Sequence, residues 1–265
     1  PNGVPNVLGN YVHPFKFNDL QGFKNLIKKN INIGIVFMEV ERNLKLNITF
    51  LKEIRKICTK KKIILIFDEC TTGFREVYGG IHKKYKVYPD MAMFGKAIGN
   101  GYAINAIIGK KKFMKGADKT FISSTFWTEG IGPTAAIETL KIMENKKSWK
   151  YITSLGNYVR KKWLDIAKKN KVKIKVQGIP SLSSFTFLSK NHQAYKTYIT
   201  QEMLKKGFLA TTTIYVSMSH TKQILNKYLK ILDKIFLIIS KCEKGDDIHR
   251  YLNSEVSETN FARLN

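Results

Sequence analysis

Two short apolar runs constrain this chain more than anything else in it. Ile33-Gly34-Ile35-Val36-Phe37-Met38 and Ile63-Ile64-Leu65-Ile66-Phe67 are continuous rather than alternating. Each therefore predicts a strand buried on both faces, the pattern of a parallel sheet. Between them, Phe50, Leu51, Ile54 and Ile57 recur at helical spacing within Thr49 to Lys60, with Thr49 as the expected N-cap. Strand, helix, strand in that order predicts a mostly parallel sheet with helices on its faces, an α/β architecture. Further strands are expected at Met91 to Phe94 and near Ile104 to Ile108, after a loop rich in glycine.

Past about residue 133 the pattern changes. Helices are expected at Pro133 to Asn145, with the proline in the first turn, and at Tyr151 to Asn170. Two more follow, His192 to Lys206, stopped by Gly207, and Lys222 to Lys241. Strands are expected at Val172 to Val176, Ser183 to Leu188 and within Phe208 to Ser217. Few strands between long helices suggest a smaller α+β domain beside the sheet. The expected division is residues 1–145 as the large domain and 146–265 as the small one.

Composition narrows the function classes. A hydrophobic fraction of 43% and an aromatic fraction of 12% belong to a globular chain. No run approaches the roughly 18 apolar residues that a membrane span needs. The opening Pro1-Asn2-Gly3-Val4-Pro5 has neither the basic start nor the apolar core of a signal peptide. Cys58, Cys70 and Cys242 are scattered and form no CxxC pair, so neither a zinc site nor a disulfide framework is expected, and a reducing cytoplasm is the expected location. The formal charge of +26 comes from lysines spread along the whole chain. Basic charge indicates nucleic acid only when clustered, so no specific nucleic-acid partner is expected.

Two residues carry the chemistry. Asp68 follows an apolar strand directly, and in a parallel sheet the strand C-termini face the ligand crevice. A carboxylate there suits a metal, a ribose or a protonated ring nitrogen, and equally a helix cap or an ion pair. Lys96 follows the next expected strand within Phe94-Gly95-Lys96-Ala97-Ile98-Gly99-Asn100-Gly101. Glycines let the backbone approach a ligand, and a lysine buried there becomes reactive toward a carbonyl cofactor. The segment is not a Walker loop, because Ala97 stands where that motif has Ser or Thr.

The order and separation of several blocks resemble a known family. They are Ile66-Phe67-Asp68-Glu69-Cys70-Thr71-Thr72-Gly73-Phe74-Arg75, then Gly79-Gly80, Pro89-Asp90 and Phe94 through Tyr102. Ser124-Thr125-Phe126-Trp127-Thr128-Glu129, Ile131-Gly132-Pro133, Phe15 through Asn18-Asp19, Glu39 and the ending Phe261-Ala262-Arg263-Leu264 add to them. Together they resemble the class III pyridoxal-phosphate aminotransferases of fold type I, in the branch similar to glutamate-1-semialdehyde 2,1-aminomutase. The resemblance implies pyridoxal 5'-phosphate as cofactor, Lys96 as the Schiff-base lysine and proton shuttle, and Asp68 as the partner of the pyridine nitrogen. Cys70 is implied against the ring, on the same side of an extended chain as Asp68. Thr128 is implied at the cofactor phosphate of a neighbouring subunit, with Thr125 as its rival. No metal is implied. The implied assembly is a homodimer acting on a small-molecule amino-acid or amino-sugar substrate.

The chain departs from the family at Val40 and Ala103, where proline is usual, and at Gly130, where arginine is frequent. Family members also carry an N-terminal stretch with a glycine-rich phosphate loop and a ring-stacking aromatic, neither of which is recognisable here. A catalytically incomplete fragment acting as a dimerising scaffold is therefore the alternative expectation.

Overall fold

A computed structural model describes residues 3–258 of the chain, so the familiar ending Phe261 to Leu264 lies outside the described residues. The first sheet has the order β1 (Ile35–Glu39), β2 (Ile64–Asp68), β3 (Met91–Phe94), β4 (Ala106–Gly109). The first three strands run parallel and β4 returns antiparallel. The sheet is thus mostly parallel, as the apolar runs predict.

Register sorts the side chains onto two faces, since successive residues alternate and directly paired residues share a side. Val36, Met38, Leu65, Phe67, Ala92 and Phe94 face one way and are buried. Two helices cover part of that face: α1 (Leu20–Lys29), through Phe23 and Ile27, and α2 (Ile48–Lys60), through Phe50, Leu51, Ile54 and Cys58. The other face carries Ile35, Phe37, Glu39, Ile66, Asp68, Met91 and Met93. There Ile35 is 55% exposed and Phe37 50% exposed.

The start of α2 corrects one expectation. Its N-cap is Asn47, whose side-chain oxygen accepts the Thr49 N–H at 3.0 Å, while Asn18 accepts the Asn47 N–H. Asn18 fixes the Asn47 backbone ahead of the helix, and the Asn47 side chain then caps it, which leaves Thr49 inside the first turn. α1 is a helix not among those expected above, although Leu20, Phe23, Leu26 and Ile27 recur at helical spacing along it.

Beyond α3 (His82–Tyr85) and α4 (Lys111–Met114), α5 (Ile131–Lys146) and α6 (Ser148–Lys169) follow each other across Lys147, which adopts φ +50°. A second, antiparallel sheet of β5 (Ile174–Gln177), β6 (Leu182–Phe187) and β7 (Thr213–Tyr215) packs with α6, α7 (His192–Leu204) and α8 (Lys222–Cys242). Trp163, Phe185, Phe187, Tyr195 and Phe236 form its aromatic centre. Gly207, at φ +77°, caps α7: the Phe208 N–H reaches Met203 O and the Gly207 N–H reaches Leu204 O. The strand expected across Phe208 to Ser217 contracts to three residues, since Phe208 and Ala210 turn instead into the core under α8.

The two cores touch through the β5–β6 connection. Ile179 and Leu182 pack with the first core, and the Gly178 N–H bonds to Asn43 O at 3.1 Å. A β-carbon on Gly156 would lie 2.0 Å from Pro180 O, so only glycine lets α6 approach that connection. Among the described residues no helix is long and apolar enough to cross a membrane.

Asp90 ties β2, α2 and β4 together. It is buried and accepts from the Leu65 N–H (2.9 Å), Arg55 (2.9 Å) and Lys110 (2.7 Å). Burial works against its charge, but these donors outweigh it and hold the carboxyl down to about 2, below its ordinary 3.8. A depressed carboxylate stabilises the fold above its unfolded pKa and loses that contribution as pH falls through the folded value. Asp90→Asn is expected to cost about 2–4 kcal/mol near neutral pH. Denaturant melts of both proteins should show the gap closing between about pH 4 and 2; a gap independent of pH would overturn the assignment.

Candidate active site

Asp68 is the last residue of β2, and its partner across the parallel ladder is Met93 of β3. Three residues beyond Met93 comes Lys96, at the start of a short 3-10 turn (Lys96–Ile98). The two are therefore brought to the C-terminal tips of adjacent parallel strands, where an open sheet forms its ligand crevice. Cys70 is close enough to both to feel their charges. Its thiol is pushed up by burial and by the charge and hydrogen bond of Asp68, while the Lys96 cation pulls it the other way.

Each side chain is held by local geometry. Asp68 Oδ1 accepts the Cys70 N–H at 2.9 Å, so the chain turns immediately after the strand. This corrects the expectation of an extended chain at Cys70. The thiol reaches the site because an Asp side chain closes the turn, not through strand alternation. Gly95 runs extended, and a β-carbon there would meet Asn105 Oδ1 at 2.3 Å and Cys70 Sγ at 3.5 Å. Only a glycine tolerates so close an approach by Asn105, and Lys96 follows it with φ +47°.

Lys96 itself is exposed, which corrects the expectation that burial makes it reactive. Its Nζ instead donates to Thr71 Oγ1 at 2.7 Å. Thr125 and Thr128 lie exposed on the turn 125–128, and no hydrogen bond joins either hydroxyl to Asp68, Cys70 or Lys96. The capping role at the following helix belongs to Glu129, whose carboxylate accepts from the Ile131 and Gly132 N–H groups. Gly132 packs against Ala103 O and Ile104, which sets the start of α5 against the loop after Lys96.

Several residues of the matching blocks take supporting roles that the sequence does not disclose. Glu69 is fully buried and accepts from Thr72 Oγ1, the Ile81 N–H and the His82 N–H, with His82 Nδ1 at 2.8 Å. It locks the loop that carries Cys70 and Thr71. Glu39, paired with Asp68 in register, forms an ion pair with Arg42 at 2.8 Å. Burial works against the Arg42 charge, yet Glu39 and Tyr215 hold its guanidinium above the ordinary value. Arg75, also near Tyr215, is driven the opposite way by burial, and its Nε has no partner among the described residues.

The aminotransferase class-III family model matches residues 45–236. A 3-aminobutyryl-CoA aminotransferase of Cloacimonas acidaminovorans is 31% identical over 207 residues, covering 75% of this chain and 50% of the relative. A glutamate-1-semialdehyde 2,1-aminomutase of Methanosphaera stadtmanae is 28% identical over 253 residues, covering 87% and 60%. Among solved structures, the FumI protein of Sphingopyxis sp. superposes with a TM-score of 0.85 at 22% identity, covering 94% of this chain and 62% of that one. An omega-transaminase from Sphaerobacter thermophilus gives 0.79 at 21% identity, covering 92% and 60%. The chain thus spans half to three-fifths of the length of these relatives.

Proposed function

The chain belongs to the class III aminotransferases, and from that premise we propose that it carries the Lys96 and Asp68 portion of a pyridoxal-phosphate site for amino-group transfer. The observation that carries the reading is one amine and one carboxylate at neighbouring parallel strand tips, with Cys70 close to both. That donor set fits both ends of the cofactor: an anion for the protonated ring nitrogen and a primary amine for the aldehyde carbon. The lack of a side chain at Gly95 lets Asn105 Oδ1 pack close to the backbone that leads into Lys96, which supports a fixed launching point for the amine.

When bound, pyridoxal phosphate supplies an electron-withdrawing ring that takes up negative charge from the substrate's α-carbon. Asp68 would hold the ring nitrogen end of the group through its carboxylate. Lys96 would hold the aldehyde end through Nζ, and as a free amine it would serve as the general base and acid for the proton on the substrate α-carbon. Thr128, or Thr125 in its place, meets the phosphate of a neighbouring subunit; the exposure of both on one turn supports that role. The substrate is a small-molecule amino acid or amino sugar in this reading; Arg42, beside the end of β1, is already matched by Glu39 and favours neither.

A homodimer in the cytoplasm is part of this reading. The uncovered apolar face of the first sheet, at Ile35 and Phe37, supports further polypeptide packing there. The two hydrophobic cores support a large domain of residues 1–145 and a small one of 146–265, joined by contacts of the 178–182 segment. Lys96 chemistry is common to transaminases and aminomutases, so the reading covers both.

The test is direct. The protein mixed with pyridoxal phosphate should develop an absorbance band near the visible edge, and borohydride should fix the cofactor on the Lys96 peptide. A well-folded dimer left unlabelled would instead support the scaffold.

A further inference from the structure

We infer that Thr71 is a positioning residue for the reactive amine, a role that rests on Lys96 being that amine. A lysine side chain has four flexible carbons and about 2 kcal/mol of rotamer entropy. Lys96 is exposed, so packing does not restrain it. One bond does: Nζ to Thr71 Oγ1 at 2.7 Å.

Thr71 is itself fixed. It is 4% exposed, and the residues on both sides of it are tied. The Cys70 N–H is held by Asp68, and the Thr72 hydroxyl donates to the buried Glu69 at 2.8 Å. The adjacent threonines therefore divide the work: Thr72 braces the loop and Thr71 presents its oxygen to the amine. The backbone launching Lys96 is equally constrained, by the close approach of Gly95 to Asn105 and by φ +47° at Lys96. Both ends of the contact are anchored, and only the lysine stem between them is free to swing.

A hydroxyl suits this task better than a carboxylate or an amide N–H. It accepts from a protonated amine and donates to a neutral one. A lysine that alternates between those states keeps its partner throughout. Valine has the same shape as threonine and can do neither, while serine can do both.

The experiment uses the intact chain without cofactor, so its outcome does not depend on the pyridoxal reading. Reductive methylation with formaldehyde and cyanoborohydride is followed for each lysine by mass spectrometry across a pH series, with Lys110 as internal reference. For Thr71→Val, Lys96 should methylate about fivefold faster relative to Lys110, the scale of one lost hydrogen bond. Thr71→Ser should match the parent, and thermal unfolding should be unchanged in both. In a second readout, pyridoxal phosphate should attach to Lys96 about fivefold more slowly in Thr71→Val. Equal methylation in the valine variant, or a serine variant that behaves like valine, overturns the inference. So does faster methylation of all lysines together with a lower melting temperature, which marks a structural role.

Discussion

Lys96→Ala is expected to abolish cofactor fixation and to lower amino-group transfer by about 10⁴-fold or more, since it removes both a covalent attachment point and a general base. The fold should not notice. The side chain is exposed and its amine bonds to the Thr71 hydroxyl, so the melting temperature should stay within a degree or two of the parent. Alanine at φ +47° bears the same backbone cost as lysine, because both carry a β-carbon. A small amine added to the solution should restore part of the activity, since it supplies the missing base from outside. The measurements are a borohydride-fixed peptide map and single-turnover kinetics. Equal fixation on a different lysine, with turnover retained, would remove Lys96 from the mechanism.

The legible part of this molecule is the part written in contiguous residues. β2 and β3 announce themselves as apolar runs, and the two residues proposed for the chemistry end or follow them. The parallel register pairs Asp68 with Met93, three residues ahead of Lys96, so it brings both candidates to the same edge of the sheet. Contacts that fold back over many residues are not legible. Thr71 meets Lys96 across 25 positions, and Glu69 collects donors from residues 72, 81 and 82. Neither pairing leaves a periodic trace.

Position in an element also misleads when a turn intervenes. Strand alternation would put Cys70 on the same side as Asp68 along an extended chain, yet the chain has already turned under the Asp68 carboxylate. The exposure of Lys96 is a similar lesson. Flanking glycines signal close approach of backbone, and they say nothing of whether the lysine itself is covered. The apolar pattern of β1 predicts burial on both faces, yet Phe37 stands half exposed because no helix among the described residues covers that side of the strand.

Asp68→Asn separates the charge of this residue from its shape. Asparagine keeps an oxygen in the same place, so the Cys70 N–H retains its acceptor and the turn should survive with little change in stability. The negative charge is gone. A neutral amide cannot hold a proton on a pyridine nitrogen as a carboxylate does, and the ring then withdraws electrons poorly. Turnover should fall by about 10²–10³-fold, the scale seen when one charge-stabilising partner is removed from a reacting centre. A second effect needs no cofactor. Burial first, then the Asp68 charge and hydrogen bond, hold the Cys70 thiol up; without that charge its pKa drops toward the ordinary value and more thiolate is present at neutral pH. Cys70 should then alkylate faster with iodoacetamide in the variant, while Lys96 still fixes the cofactor. Faster alkylation with unchanged turnover would leave Asp68 beside Cys70 but away from the ring. Unchanged alkylation would deny even the neighbourhood on which the site is built.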